Sequence, residues 1–147
     1  MIYFLQGEKT RRIKIGFTTR LIRSRIMALQ TGSPDKLRFV GACPGDERVE
    51  RELHFTFREH HSHGEWFNEA PELTHHIKKH CIHDMDIAHD VDSLVASGEK
   101  TYEHLLTLDS KEIHDLYMAH LVREMEDRYP LTPRQRKLLQ PATQKVR

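Results

Sequence analysis

Two short segments at the start of the chain constrain its fold more than any other feature. Residues 12–17 alternate apolar and polar side chains, the period-two pattern of a strand with one buried face. Residues 1–6 are rich in aromatic and β-branched side chains, which also favour a strand. Because only residues 7–11 separate the segments, they are predicted to form an antiparallel hairpin.

The same alternation predicts how the two strands pair. A four-residue loop that pairs Gln6 with Arg11 places Tyr3 opposite Lys14. The apolar side chains of both strands then share the other face of the hairpin. We therefore expect one apolar face and a second face on which a tyrosine lies beside a lysine.

Further elements follow from the same periodicities: a third strand over residues 37–42 and helices over about 20–30, 47–59 and 71–82. Thr18 or Thr19 is expected to cap the first of these helices, and Asp46 the second. Asp109 and Glu112 form a capping-box pattern that opens a later helix. No strand is predicted after residue 84, so the expected fold class is α+β with a helical C-terminal extension.

Charge is distributed unevenly along the chain, although the net charge is only +1. Between Lys9 and Pro34 there are seven basic residues and no acidic one. Residues 71–130 carry a net charge of −7 and residues 131–147 a net charge of +5. A basic N-terminal segment suits a polyanion such as nucleic acid. The alternative that charge alone leaves open is a basic surface that contacts only solvent.

The expected organisation is a domain over 1–84, a helical extension over 85–130 and a basic tail over 131–147.

Several classes of protein are not expected. The chain has no apolar run near the ~20 residues needed to cross a bilayer, and its first residues lack the pattern of a signal peptide. The two cysteines, Cys43 and Cys81, suggest no disulfide framework. A cytoplasmic protein that does not associate with a membrane is the expectation.

Five short blocks then occur in a characteristic order: residues 2–4 (Ile-Tyr-Phe), 14–18 (Lys-Ile-Gly-Phe-Thr), 29–34 (Leu-Gln-Thr-Gly-Ser-Pro), 50–54 (Glu-Arg-Glu-Leu-His) and 64–67 (Gly-Glu-Trp-Phe). Together they resemble the GIY-YIG nuclease superfamily. The resemblance is greater to the branch known from a T5 phage open reading frame and the meiotically up-regulated gene 113 domain. It covers about residues 1–70.

The resemblance implies a three-stranded antiparallel sheet flanked by helices, and phosphodiester hydrolysis with Mg²⁺ or Mn²⁺. It implies a nucleic-acid partner, with DNA expected, and by analogy a phage or mobile-element origin. Tyr3 matches the tyrosine of the first signature strand, and Lys14 replaces the second signature tyrosine. Arg25 matches the superfamily arginine, with Arg23 as its rival, and Glu50 matches the metal-binding glutamate.

The chemistry of these side chains suits those roles. The Glu50 carboxylate can bind a hard divalent cation that keeps most of its water ligands. The Arg25 guanidinium can donate two parallel hydrogen bonds to two phosphate oxygens. Tyr3 could orient or deprotonate the attacking water, and a cation such as Lys14 beside it would ease its ionisation. The residues expected to contact nucleic acid are Lys9, Arg12, Arg20, Arg23 and His54.

Alternative interpretations stay open at this point. A domain of this kind could bind nucleic acid or protein without cutting. A histidine-rich stretch around His76 and His80 could hold zinc, although a surface histidine cluster is the simpler interpretation. Trp66 and Phe67 are predicted core residues, with base stacking as the alternative. The helical extension could form a homo-oligomer.

Overall fold

The structure, a computed structural model, describes residues 1–130, 132–134 and 137. The predicted basic tail therefore lies mostly outside the described residues. The strands are β1 (Ile2–Gly7), β2 (Ile13–Phe17), β3 (Leu37–Cys43), β4 (His61–His63) and β5 (Trp66–Phe67). The helices are α1 (Ile22–Thr31), α2 (Glu47–Thr56), α3 (Pro71–His80), α4 (Met85–Ala96), α5 (Tyr102–Leu105) and α6 (Ser110–Arg128), with a 3₁₀ turn at Arg58–His60. The predicted α+β class with a helical C-terminal part is confirmed.

The strands form one antiparallel sheet in the order β3-β1-β2-β5-β4. The three predicted strands lie side by side as β3, β1 and β2. The two additional strands come from residues 61–67, where β5 pairs with β2 through Lys14 and Trp66. These short strands extend the sheet beyond the three strands expected from the sequence.

The pairing of the β1–β2 hairpin differs from the predicted register by two residues. Tyr3 lies opposite Gly16, and Leu5 lies opposite Lys14. The loop is longer than expected because Arg11 adopts a φ of 61° and its N–H donates to the Gly7 carbonyl oxygen at 2.9 Å. Since the shift is an even number, the residues keep the predicted faces, but Lys14 is not the direct partner of Tyr3.

Helices cover both faces of the sheet. On the face that carries Phe4 and Ile15, α2 and α3 contribute buried side chains such as Leu53 and Ile77. On the face that carries Tyr3, α1 and α4 contribute Ile22, Ile26 and Ala88. A helix from each face consequently borders the hairpin.

The N-terminal caps show which helix N-termini could be predicted from neighbouring residues in the sequence. Asp46 accepts a hydrogen bond from the Val49 N–H at 3.0 Å, as predicted for α2. For α1 the predicted threonine caps are wrong, because the helix begins at Ile22 and its first N–H donates to the Asp92 carboxylate of α4 at 3.1 Å. The start of α1 is therefore fixed by a residue 70 positions away.

The C-terminal helices pack on one another through a separate apolar cluster that includes Val91, Leu94, Leu105 and Ile113. Asp109 and Glu112 form the predicted capping box at the start of α6. In the described part of the chain no helix has the length and apolar character needed to span a membrane. The domain boundary near residue 84 and the proposed homo-oligomer remain predictions.

Candidate active site

The centre of the candidate site is Tyr3, in the middle of β1. It has no exposed surface, and its ring packs against Gly16 on the neighbouring strand. A Cβ atom added at Gly16 would lie 2.3 Å from both Cζ and Oη of Tyr3. Only glycine leaves room for the tyrosine ring at this position.

One arginine of α1 reaches Tyr3. The Arg25 Nε–H donates a hydrogen bond to Tyr3 Oη at 3.4 Å, and the Arg25 side chain is half-buried. Arg23 points elsewhere and forms an ion pair with Asp86 of α4. The structure therefore separates the two rival arginines: Arg25 lies at the tyrosine, and Arg23 joins α1 to α4.

Glu50 approaches from the opposite side of the sheet. It lies on α2, one turn before His54, with its side chain 15% exposed and its Oε1 3.9 Å from His54 Nε2. The same His54 Nε2–H donates to the carbonyl oxygen of Ile15 in β2 at 3.0 Å, which fixes α2 against that strand. β5 pairs with β2 at Ile13 and Lys14, and the Ile15 N–H donates to the carbonyl oxygen of Glu65 at 3.0 Å, so the segment before β5 also lies along this part of the β2 edge.

Electrostatic interactions connect Glu50 to the tyrosine and the arginine. Burial raises the pKa of Glu50, the Glu65 carboxylate raises it further, and His54 and Lys14 act against both effects. Glu50 and Glu65 both act on the pKa values of Tyr3 and Arg25 as well. Side chains from β1, α1, α2 and the segment before β5 therefore belong to one charged cluster.

Lys14 does not take its predicted place beside the tyrosine. Its side chain is only 11% exposed, and its ammonium forms an ion pair with Glu65. Lys14 Nζ also lies 5.9 Å from the centroid of the Trp66 ring. Sequence reasoning missed Glu65, although the block that contains it places an acid directly before the tryptophan.

The ionisation state of Tyr3 also differs from the expectation. Burial raises the pKa of the phenol, and this effect outweighs the hydrogen bond and the positive charge of Arg25. A neighbouring cation does lower the pKa of the phenol, as expected, but that cation is Arg25 and not Lys14, and burial raises the pKa by more. Tyr3 is a neutral phenol whose oxygen accepts a hydrogen bond from Arg25.

Comparison with known families places the chain in one of them. The family model described as the T5orf172 domain matches residues 1–86, more than half of the chain. The chain belongs to the T5orf172 family. No curated protein and no solved structure matches the chain. The T5orf172 family is of the GIY-YIG-like, nuclease-associated type, so the matched domain is nuclease-like or nucleic-acid-associated, and the matched range contains every residue of the charged cluster.

The predicted nucleic-acid contacts of this T5orf172 domain fall into two groups. Lys9, Arg12 and Arg20 have no carboxylate within ion-pair distance among the described residues. Arg23 and His54 are engaged within the protein, by Asp86 and by the Ile15 carbonyl oxygen. The first three can meet phosphates without breaking an internal ion pair.

The donor set of the T5orf172 site fits a hard divalent cation. Within the described range, no three or more His, Cys, Asp or Glu side chains are grouped so as to hold a metal ion. Zinc in a structural site needs about four such ligands, so these residues do not form one. Mg²⁺ is held by one or two carboxylates plus waters and substrate phosphates. Glu50, with Glu65 nearby, meets that requirement.

The effect of the Glu65 carboxylate on the pKa of Glu50 can be tested by titration. In Glu65→Gln the like charge is removed and Lys14 is released from its ion pair, so both changes are expected to lower the pKa of Glu50. The measurement is a pH titration of the Glu50 carboxyl carbon by ¹³C NMR without metal. Glu69→Gln is the control, because Glu69 pairs with Arg11 instead. An unchanged or higher Glu50 pKa in Glu65→Gln would contradict the described cluster.

Proposed function

We propose that this T5orf172 domain is a divalent-metal-dependent endonuclease that hydrolyses phosphodiester bonds in the cytoplasm, with DNA as its expected substrate. The observation that supports this most is that Glu50 and Glu65 act on the pKa values of Arg25 and of its hydrogen-bond partner Tyr3, although Arg25 and Glu50 come from helices on opposite sheet faces. A cation-binding carboxylate and a phosphate-binding guanidinium in one cluster suit a reaction in which negative charge gathers on phosphate oxygens.

Each residue of the cluster has a distinct role in this proposal. Glu50 would hold Mg²⁺ or Mn²⁺, which when bound polarises the phosphate and stabilises the leaving oxygen. Arg25 donates two hydrogen bonds to phosphate oxygens, a geometry that lysine cannot reproduce. Tyr3 is a positioning residue, because the buried phenol orients Arg25. Lys14 balances the second carboxylate, Glu65, and His54 holds α2 against β2.

The test is a cleavage assay with plasmid, single-stranded DNA and RNA in Mg²⁺, Mn²⁺ or EDTA. Cleavage is expected with metal and not with EDTA. Arg25→Lys is expected to lower the rate about 100-fold, because the forked contact is lost. Arg23→Lys is the matched control and should have a much smaller effect, because Arg23 binds Asp86. No cleavage with either metal, or equal losses in both variants, would contradict the proposal.

A second candidate function has one observation in its favour. Tyr3 is fully buried, so no exposed phenol is available to activate water in this arrangement. A nucleic-acid-binding or protein-interaction module that retains the scaffold without cutting would have such a tyrosine. In the same assay it would bind nucleic acid tightly, show no products, and respond to Arg25→Lys only in affinity.

A further inference from the structure

A groove opens beside the charged cluster and is not used by the roles above. It has a volume of about 360 Å³, within the range of roughly 300–1,000 Å³ typical of ligand sites. Lys14 lies in its lining as well as in the ion pair with Glu65. Lys14 therefore belongs both to the charged cluster and to the lining of the groove. We call it the Trp66 groove.

The walls of the Trp66 groove are largely apolar. Trp66 lines it from β5, and the side chain is half-buried instead of being the core residue that the sequence suggested. Leu29, Pro34 and Leu37 line it from α1, the following loop and β3. Because β5 and β3 lie on opposite sides of the hairpin, an indole on one side faces aliphatic side chains on the other.

The charge of the Trp66 groove is positive where it meets the hairpin. Arg12 and Lys14 both line it, and Arg12 has no carboxylate partner in the described part of the chain. The one acidic residue in the lining, Asp35, accepts hydrogen bonds from the backbone N–H groups of Lys9 and Thr10. Asp35 thus holds the loop in place. The groove combines an aromatic surface, apolar walls and an unpaired guanidinium.

We infer that the Trp66 groove binds an unpaired nucleobase of the substrate, stacked on the Trp66 indole, with a flanking phosphate at Arg12. This inference rests on the proposed function and specifies it: the substrate is single-stranded or locally unpaired nucleic acid at this position. A base within a duplex has both faces covered by its neighbours, and stacking on a protein aromatic needs a face that is free.

The sequence offers a direct probe, because Trp66 is its only tryptophan. The experiment titrates the full chain with a 12-nucleotide oligothymidylate in EDTA and records tryptophan fluorescence. We expect strong quenching by the single strand. A backbone-matched oligonucleotide without bases and a blunt duplex of equal length are expected to bind through their phosphates without comparable quenching. Equal fluorescence changes with all three ligands would overturn the inference without requiring any variant to fold.

Three variants extend the test. Trp66→Ala is expected to weaken binding of the single strand at least tenfold, whereas Trp66→Phe should retain most of the affinity. Arg12→Ala should weaken binding of the single strand and the duplex alike, since it removes a phosphate contact. Unchanged single-strand affinity in a folded Trp66→Ala would overturn the inference.

The outcome separates the inference from the proposed function. Metal-dependent cleavage without base-dependent quenching leaves the nuclease proposal standing and overturns the base-binding groove. Base-dependent quenching without cleavage supports the groove and contradicts the nuclease. If neither quenching nor cleavage is seen, both are wrong.

Discussion

Glu50→Gln is expected to reduce metal-dependent cleavage by about a thousandfold, the largest effect of any single substitution at the site. The change keeps the size of the side chain but removes the charge that would hold the cation. Because Glu50 is already a partly buried carboxylate near a second one, Glu65, the neutral amide should not destabilise the fold. The measurement is the single-turnover cleavage rate at saturating Mg²⁺ or Mn²⁺.

The matched control for this prediction is Glu52→Gln. Glu52 lies on the same helix but is exposed and pairs with Arg48, so its replacement should leave cleavage nearly unchanged. Glu50→Gln should still bind nucleic acid in EDTA, because Arg25 and the unpaired cations remain. A Glu50→Gln protein that cuts at close to the normal rate would show that this carboxylate does not hold the metal.

Gly16→Ala is expected to destabilise the protein by about 1–3 kcal/mol, the usual cost of overpacking a core. The new methyl group would lie 2.3 Å from Cζ and Oη of Tyr3, and Tyr3 has no exposed space into which it can move. Displacement of the ring would also break the hydrogen bond from Arg25. Urea unfolding followed by circular dichroism measures the loss, and cleavage should fall with it.

Gly32→Ala is the control for this effect. The nearest atom to a Cβ at Gly32 is the Leu29 carbonyl oxygen at 3.9 Å, and the backbone φ of −92° suits any residue. A double-mutant cycle between Gly16→Ala and Tyr3→Leu should show that most of the loss depends on the tyrosine ring. Equal stability of Gly16→Ala and the unaltered protein would mean that the ring does not occupy the described position.

Local patterns predicted the features that depend on nearby residues. The strands of the hairpin, the Asp46 cap and the capping box at α6 each follow from residues close together in the sequence. The register of the hairpin was wrong by two residues because the conformation of Arg11 lengthens the loop. An alternating pattern cannot detect a shift of two, since it keeps every side chain on the same face.

Features that depend on distant contacts could not be predicted from the sequence. The ion pair between Lys14 and Glu65 joins residues 51 positions apart, and it exists because β5 adds to the edge of β2. That extra strand also places Trp66 beside the groove instead of in the core. Family resemblance placed Tyr3, Arg25 and Glu50 in one site, but it did not indicate that the phenol would be covered.

The cap of α1 has a consequence for how the two parts of the chain depend on each other. The family match ends at residue 86, whereas the carboxylate that receives the first N–H of α1 belongs to Asp92. A fragment ended at the limit of the family match would keep Arg25 and lose the anchor of the helix that carries it. The helical extension thus stabilises the start of the helix that carries Arg25, and a fragment cut at the limit of the family match would lack that hydrogen bond.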